Sequence, residues 1–489
     1  MDRRSFLAST ASLTAATTAA TTAAAPSTAE TREAVEALTR ALNPRIQADR
    51  QAALAILKPD ARTLERGLRL HAESLVFDGY GFSPRAALDG TAYAEAITSG
   101  ASSRELKDLR EDMSMTRYVT DPLEQREYRD AWRASGVTCI FQNAGEEGQD
   151  PLRLIKRLAR FTYATDMLPE VVARAALPRD VLAAKTERRH CLYFTGNGVP
   201  LTQQWESIPG ELRYLKIFFQ LGIRMMHLTY QRRNMIGDGC AEKANAGLSD
   251  FGRAVIAEMN RVGVIPDCAH SGWQTSLEAA QASEKPVVAS HTTCTRLFPH
   301  IRSKTDEIIK AIAATGGYVG ICCISRFLRG RGDINALLDH IDHVVKTAGP
   351  DHVTLGTDVA YTSQNAAAEN KKVPSTGRRR RKEFRSLWPA DNYRPAAAAA
   401  RSIAWTNWPL FTVGLVQRGY RDDDIRKIIG GNVMRVARAS RAFSISSFTA
   451  DAGRSTTSPA AIWFATRSER TSIVRGISNR TLHIQDRSA

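Results

Sequence analysis

The chain has 489 residues, of which 43% are hydrophobic and 24% charged, and it carries a formal net charge of +16. This globular composition excludes a wholly disordered chain, and the absence of any apolar run of about 18 residues excludes a predicted transmembrane helix. Seven cysteines without a C-x-x-C pair exclude a disulfide scaffold or a zinc knuckle. Much of the basic excess lies in Arg378–Lys382 and at the termini, so we predict a solvated loop there and no nucleic-acid partner.

The first 25 residues are typical of a signal peptide. Arg3 and Arg4 precede Ser5-Phe6-Leu7, and an alanine- and threonine-rich stretch follows, ending in small residues at 23–25. This pattern resembles a twin-arginine export signal, and the alternative is a disordered tail. We therefore predict a leader at 1–25, the twin-arginine machinery as a partner, and a periplasmic or secreted protein.

An alternating β/α pattern fills most of the remaining chain. We predict an N-terminal helical segment at 26–70, a barrel domain at 71–443 and a disordered tail at 444–489. Eight strands alternating with helices favour a (β/α)8 TIM-type barrel, and no nucleotide-binding glycine motif follows an early strand. The predicted strands are Leu75–Asp78, Val137–Phe141, Cys191–Phe194, Arg224–Leu228, Val264–Asp267, Val287–Ser290, Tyr318–Ile321 and Val353–Gly356.

Two helices between these strands have clear signals at their ends. Over 248–260 the sequence predicts a helix with Ser249 as its N-cap and one apolar face. Over 306–314 it predicts a helix capped by Asp306, with three isoleucines inward, that stops before Gly316.

Metal-capable residues cluster where three of the strands end. The fifth strand leads from Asp267 to His270, the sixth ends at His291, and the eighth is followed by Asp358. Active residues of such barrels lie at these strand ends, and neighbouring strands are about 4.8 Å apart. Two histidines from adjacent strands can therefore share one ion at about 2.1 Å, with an aspartate as a third ligand or water holder.

Five segments resemble the membrane (renal-type) dipeptidase family of zinc-dependent, amidohydrolase-like barrels. They are LGIRMMHLTYQRRNMIGDG (221–239), GLSDFGRAVIAEMNRVGVIPDCAHSG (247–272), KPVVASHTTCTRLFPHIRSKTDEIIKAIAATGGYVGI (285–321), DHVTLGTD (351–358) and RGYRDDDIRKIIGGNVMRV (418–436). The resemblance implies that His270 and His291 bind one zinc and that Asp358 holds the attacking water. It implies that Arg302 recognises the carboxylate of the substrate, for which a guanidinium fork is suited.

Other positions depart from the family pattern. The first strand of the family ends in a His-x-Asp pair that binds the first zinc, and here Tyr80 and Phe82 stand at these positions. The bridging glutamate after the third strand is missing, with Asn197 nearby, and Tyr230 replaces a substrate-polarising histidine. We therefore expect one zinc ion or fewer per chain, at His270, His291 and Asp358, with Tyr230 as a donor to the substrate.

Three further carboxylates, Asp78, Asp238 and Glu242, are candidates for a rebuilt second site or a general base. For each of them a structural role in a turn, a cap or the charged surface is the stronger expectation.

The sequence leaves more than one function open. We expect an exported metal-dependent hydrolase that cleaves dipeptides or related small amides by a metal-activated water. The alternative is a catalytically degenerate barrel that acts as a ligand-binding or scaffold protein, and a third reading is a lactonase or related activity on a small carboxylate. The oligomeric state, including a homodimer, is also open.

Overall fold

The computed structural model describes residues 28–40, 42–145, 150–375 and 392–440. The predicted leader at 1–25, the basic run Arg378–Lys382 and the predicted tail at 444–489 lie outside these residues. Nine strands occur in the described part of the chain: β1 Phe77–Gly81, β2 Cys139–Asn143, β3 Val172–Ala175, β4 His190–Gly196, β5 Met225–His227, β6 Ile265–Asp267, β7 Ala289–Thr292, β8 Val319–Ile321 and β9 Val353–Leu355.

Eight of these strands form a closed parallel barrel. Hydrogen-bonded ladders run in the order β1-β2-β4-β5-β6 and β7-β8-β9. The amide of Cys268 donates to the Val288 carbonyl at 2.7 Å, which joins β6 to the start of β7. The amide of Asp358 donates to the Tyr80 carbonyl at 3.0 Å, which joins the chain after β9 to β1. The predicted (β/α)8 barrel is therefore confirmed, and each predicted strand overlaps an observed one.

One strand was not predicted from the sequence. The short strand β3 pairs with the first residues of β4, Val172 lying opposite His190, while β5 pairs with the last residues of β4. Two of its four residues are partly or fully exposed, so it lacks the continuous apolar run that marks a buried parallel strand. Strand β3 therefore lies outside the barrel's eight strands and extends the sheet beside β4.

Helices connect the strands and cover the barrel. In the described residues they are α1 Thr28–Thr39, α2 Pro44–Leu57, α3 Ala61–Glu73, α4 Gly90–Thr98, α5 Ser103–Thr120, α6 Pro122–Ser135, α7 Pro151–Met167, α8 Pro178–Thr186, α9 Ile208–Gln220, α10 Asp250–Val262, α11 Trp273–Ala282, α12 Asp306–Ala314, α13 Ser325–Leu328, α14 Ile334–Ala348, α15 Ala366–Lys372, α16 Ala397–Ser402, α17 Trp408–Gln417, α18 Asp422–Arg426 and α19 Asn432–Ala439. None of them is long and apolar enough to cross a membrane.

The two helices with predicted ends form as expected, with one correction. In α10 the Ser249 side chain accepts from the Gly252 amide, which confirms the predicted N-cap. In α12 the prediction of Asp306 as the cap is wrong, because the Thr305 hydroxyl accepts from the Ile308 amide and Asp306 is the first helical residue. Threonine and aspartate are both good caps, so neighbouring candidates are hard to separate by sequence.

The N-terminal helices pack against the last part of the chain. Helix α3 packs closely on α17, and a Cβ atom added at Gly67 would lie 2.7 Å from the Cα of Val413. The same two helices are linked by His71, whose Nδ1 lies 2.8 Å from the Thr412 hydroxyl. Glycine at position 67 thus permits a contact between helices that any larger residue would prevent.

An apolar cluster fills the interior of the barrel beneath the strand ends. The Phe77 and Phe141 rings stack with centroids 5.2 Å apart, and Phe141 lies 5.0 Å from Tyr193. Met225 and Ile265 belong to the same buried cluster. Polar side chains therefore gather above this apolar cluster, at the carboxyl ends of the strands.

Candidate active site

Two histidines meet at the carboxyl ends of β6 and β7. The Nε2 atoms of His270 and His291 are 2.9 Å apart, and the Ser290 hydroxyl lies 2.8 Å from Nδ1 of His291. Burial lowers the pKa of both imidazoles well below the usual value, and the positive Arg302 nearby acts in the same direction. Both rings are therefore neutral, which is the form that binds a metal ion. The structure brings this predicted pair together.

Asp358 lies on the wall of the cavity that His270 also lines. It follows β9 with a backbone φ of 56°, in the left-handed region that a non-glycine residue seldom adopts. Burial raises the pKa of its carboxyl to about 7, although the Arg302 guanidinium pulls in the opposite direction. Its proton affinity is thus in the range in which a side chain can take up and release a proton near neutral pH.

The Arg302 side chain is buried but only partly hydrogen-bonded. It is 1% exposed, and its Nη2 donates to the His291 carbonyl at 3.1 Å. Its Nε and Nη1 atoms have no hydrogen-bond partner, and the residue lines the same cavity as Asp358. Buried N–H groups without a partner are costly, so these donors suit an anionic ligand such as a carboxylate.

The Tyr230 ring stacks on His270, with ring centroids 4.1 Å apart and an angle of 22° between the planes. Tyr230 also lines the cavity. The structure thus places all five predicted site residues around one end of the barrel, at the cavity or directly beneath it. Their chemical roles stay predictions.

The positions that depart from the family pattern are occupied by a hydrogen-bonded pair. The Tyr80 hydroxyl donates to Oδ1 of Asn197 at 3.0 Å, and the Tyr80 ring stacks on His291 at 3.9 Å. Burial raises the pKa of the Tyr80 phenol well above its usual value, so the group stays neutral and is a poor metal ligand. Phe82 lies beside it, with ring centroids 6.0 Å apart. These residues do not fit the first zinc that the family resemblance implies.

The three other carboxylates have structural partners. Asp78 accepts from the Thr357 amide at 2.9 Å and from the Trp405 indole at 3.2 Å. Asp238 forms a 2.5 Å ion pair with Arg233, whose backbone amide donates to Glu242 at 3.1 Å. Each carboxylate thus stabilises a turn or a contact between segments, as the structural reading predicted.

Sequence reasoning missed His227 and gave Asp267 no role of its own. Nε2 of His227 lies 2.8 Å from Oδ2 of Asp267, and both side chains are fully buried. Together with His291 they offer three ligand atoms within 4.8 Å of one another. His227 was hidden inside a predicted strand, but residues two apart on a strand face the same side. Met225 belongs to the buried cluster inside the barrel. The alternation along the strand therefore predicts that His227 also faces the barrel interior, and this was the signal available in the sequence.

A cavity of about 580 Å³ opens above these residues, a size typical of small-ligand sites. Four arginines line it, against two acidic side chains, Glu111 and Asp358; the arginines are Arg85, Arg110, Arg157 and Arg302. Glu111 lies within 3.5 Å of Arg157, so one acidic group is already paired. The cavity is therefore suited to a small molecule that carries negative charge.

The second metal position of the family fits the residues that are present. The facing Nε2 atoms of His270 and His291 are two neutral nitrogen donors, which borderline cations such as zinc accept. A closed (β/α)8 barrel with a histidine pair, an aspartate and a cavity at its strand ends defines an amidohydrolase-like barrel of the metal-dependent kind.

Comparisons with known proteins identify the family within this class. The model for "Membrane dipeptidase (Peptidase family M19)" matches residues 65–373, which is more than half of the chain. The chain therefore belongs to the membrane dipeptidase family, which confirms the resemblance seen in the sequence.

Individual relatives are similar over part of the chain. Dipeptidase verJ of Clonostachys rogersoniana is 26% identical over 242 residues, 49% of this chain and 53% of its own length. Dipeptidase tcpJ of Claviceps purpurea (strain 20.1) is 28% identical over 229 residues, 46% of each chain. This chain thus spans about half the length of these curated relatives. A crystal structure of an amidohydrolase from Pseudomonas aeruginosa is similar with a TM-score of 0.55 and 25% identity, over 76% of this chain and 98% of that one.

Proposed function

We propose that this protein is a metal-dependent hydrolase that cleaves dipeptides or related small amides, using one zinc-type ion per chain. The observation that carries the proposal is the pair of facing Nε2 atoms of His270 and His291, 2.9 Å apart, beneath a cavity lined by Asp358 and Arg302. Family membership and the two similar dipeptidases support the reaction class. The metal pair that the first strand supplies in the family has no counterpart here.

The substrate is held through its negative end. The Nε and Nη1 atoms of Arg302 have no partner within the protein, so each can donate a charge-assisted hydrogen bond to a substrate carboxylate. The other arginines of the cavity wall add positive potential, which raises the local concentration of anionic substrates. The Nη2 atom stays bound to the His291 carbonyl, so the guanidinium is fixed next to the metal-binding histidine.

Cleavage depends on proton transfer and on stabilisation of the oxyanion. His270 and His291 would hold the ion, which lowers the pKa of a water molecule and polarises the scissile carbonyl when it is bound. Asp358 takes the proton from the attacking water and passes it to the leaving amine, which is general acid–base work for a carboxylate. The Tyr230 hydroxyl donates to the developing oxyanion, and its ring is held by stacking on His270.

A dipeptide panel tests the proposal. Purified full-length protein is assayed for release of free amino acids from dipeptides and small amides, with added zinc or manganese. We expect turnover by the wild-type protein and turnover lower by about 10²–10⁴-fold in the Asp358→Asn variant, with unchanged circular dichroism. Wild-type protein that hydrolyses no substrate with either metal would favour the ligand-binding alternative instead.

We also propose that the protein is exported through the twin-arginine pathway to the periplasm or the medium. The support is the Arg3-Arg4 pair with its alanine- and threonine-rich continuation. A protein exported in this way crosses the membrane folded, so the ion can be bound before export.

A further inference from the structure

The side chains of His227 and Asp267 form an unusual buried contact. Their facing atoms, Nε2 and Oδ2, are 2.8 Å apart, yet neither atom makes a hydrogen bond of acceptable geometry. Nδ1 of His227 has no partner either. An imidazole with two unsatisfied nitrogens, completely removed from water, costs free energy that the fold must offset elsewhere.

Asp267 is anchored so that one oxygen is presented to the histidines. Its Oδ1 accepts from the Ala269 amide at 2.9 Å and from the Ser290 amide at 3.0 Å. Oδ2 is therefore a carboxylate oxygen with a fixed position that faces His227.

Three imidazoles surround one point at the strand ends. The ring centroids of His227, His270 and His291 are 5.1, 5.3 and 4.9 Å apart. With metal–nitrogen bonds of about 2.1 Å, ring centroids lie about 3.2 Å from an ion and, at tetrahedral angles, about 5.2 Å from one another. The observed ring spacings match that expectation. The ligand atoms of His227, Asp267 and His291 already lie within 4.8 Å of one another, and the His270 ring joins them by turning about its side-chain bonds toward the same ion.

We propose that His227 and Asp267 are additional ligands of the ion that His270 and His291 hold. The set of three histidines and one carboxylate compensates for the ligands that the first strand lacks. His270 lines the cavity, whereas the other three ligands lie beneath it. Since zinc can accept a fifth ligand, the ion keeps one position toward the substrate. The proposal rests on the proposed function for the ion and adds the ligands that hold it.

Metal binding by the full-length protein tests this assignment directly. After treatment with a chelator, the wild-type protein and the His227→Gln and Asp267→Asn variants are titrated with Zn²⁺ in competition with an indicator. Asp267→Asn retains an oxygen for the two backbone amides and thereby preserves the fold. His340→Gln is the matched control, because His340 is also buried but contacts the Cys294 amide and the Leu328 carbonyl.

We expect the dissociation constant for zinc to rise by about 10- to 100-fold in both variants, and by less than about twofold in the control. Zinc-edge X-ray absorption should count three imidazoles in the wild-type protein and two in His227→Gln. Wild-type affinity in both variants, with loss of zinc only in His270→Ala, would overturn the assignment and leave the proposed function intact. Conversely, a wild-type protein that needs His227 to bind zinc but hydrolyses no amide would refute the proposed function alone.

Discussion

Replacing Arg302 by lysine should weaken the recognition of substrates that end in a free carboxylate. The lysine keeps the positive charge but offers one ammonium group in place of a planar fork. In the wild-type protein the buried guanidinium has two free donors, Nε and Nη1, for the substrate. The substitution removes one to two charge-assisted hydrogen bonds made by a buried side chain.

The expected loss follows from the burial of this side chain. A hydrogen bond to a charged group contributes about 1.5–3 kcal/mol, and the 1% exposure of Arg302 means that solvent screens it little. A loss of about 2–3 kcal/mol corresponds to roughly a 30- to 150-fold decrease in kcat/KM. Since the fork binds ground state and transition state alike, the decrease should appear mainly in KM.

The assay compares each dipeptide with its C-terminally amidated form. The variant should lose activity toward the free carboxylate and retain most of its activity toward the amide, with an unchanged metal content. The metal measurement matters because Arg302 also contacts the His291 carbonyl. An equal decrease for both substrates would show that Arg302 does not recognise the carboxylate.

Three further changes have expected outcomes. Asp358→Asn should lower kcat by about 10²–10⁴-fold without changing the unfolding midpoint, because an amide cannot accept the proton; retained turnover would remove Asp358 from catalysis. Burial lowers the pKa of His71 to about 3 in the folded protein, so its stabilising contribution is complete above the ordinary value near 6.5 and declines by about 1.4 kcal/mol per pH unit below it. Urea unfolding between pH 7 and 4 should show this decline, and His71→Gln should reduce its slope; an unchanged slope would contradict the assignment. Changing Arg3 and Arg4 to lysine should leave the protein in the cytoplasm in a fractionation assay, whereas unchanged export would contradict the proposed leader.

The barrel was predictable because its eight strands are short β-branched or apolar runs that alternate with amphipathic helices. Strand β3 escaped prediction because Ala173 and Arg174 are not buried on both faces. The cap of α12 was misplaced by one residue because Thr305 and Asp306 have similar capping preferences. Local sequence thus identifies the elements better than it identifies their ends.

The candidate site could be predicted only where strand ends and family motifs pointed to it. His270, His291, Arg302 and Asp358 lie in such segments, and the structure gathers them at one end of the barrel. His227 could not be recognised in the same way. A histidine within an apolar strand is interpreted as a core residue unless it is known that its side chain points toward the site. Its contact with Asp267 depends on the pairing of β5 with β6, which the sequence alone does not specify.

The metal content of the purified protein tests the central claim most directly. Elemental analysis of tag-free protein, after removal of loosely bound ions, should give about one zinc-type ion per chain. The ion should be absent when His270 and His291 are both changed to alanine, while the secondary structure is retained. Two tightly bound ions per chain, or one ion that persists in the double variant, would contradict the account.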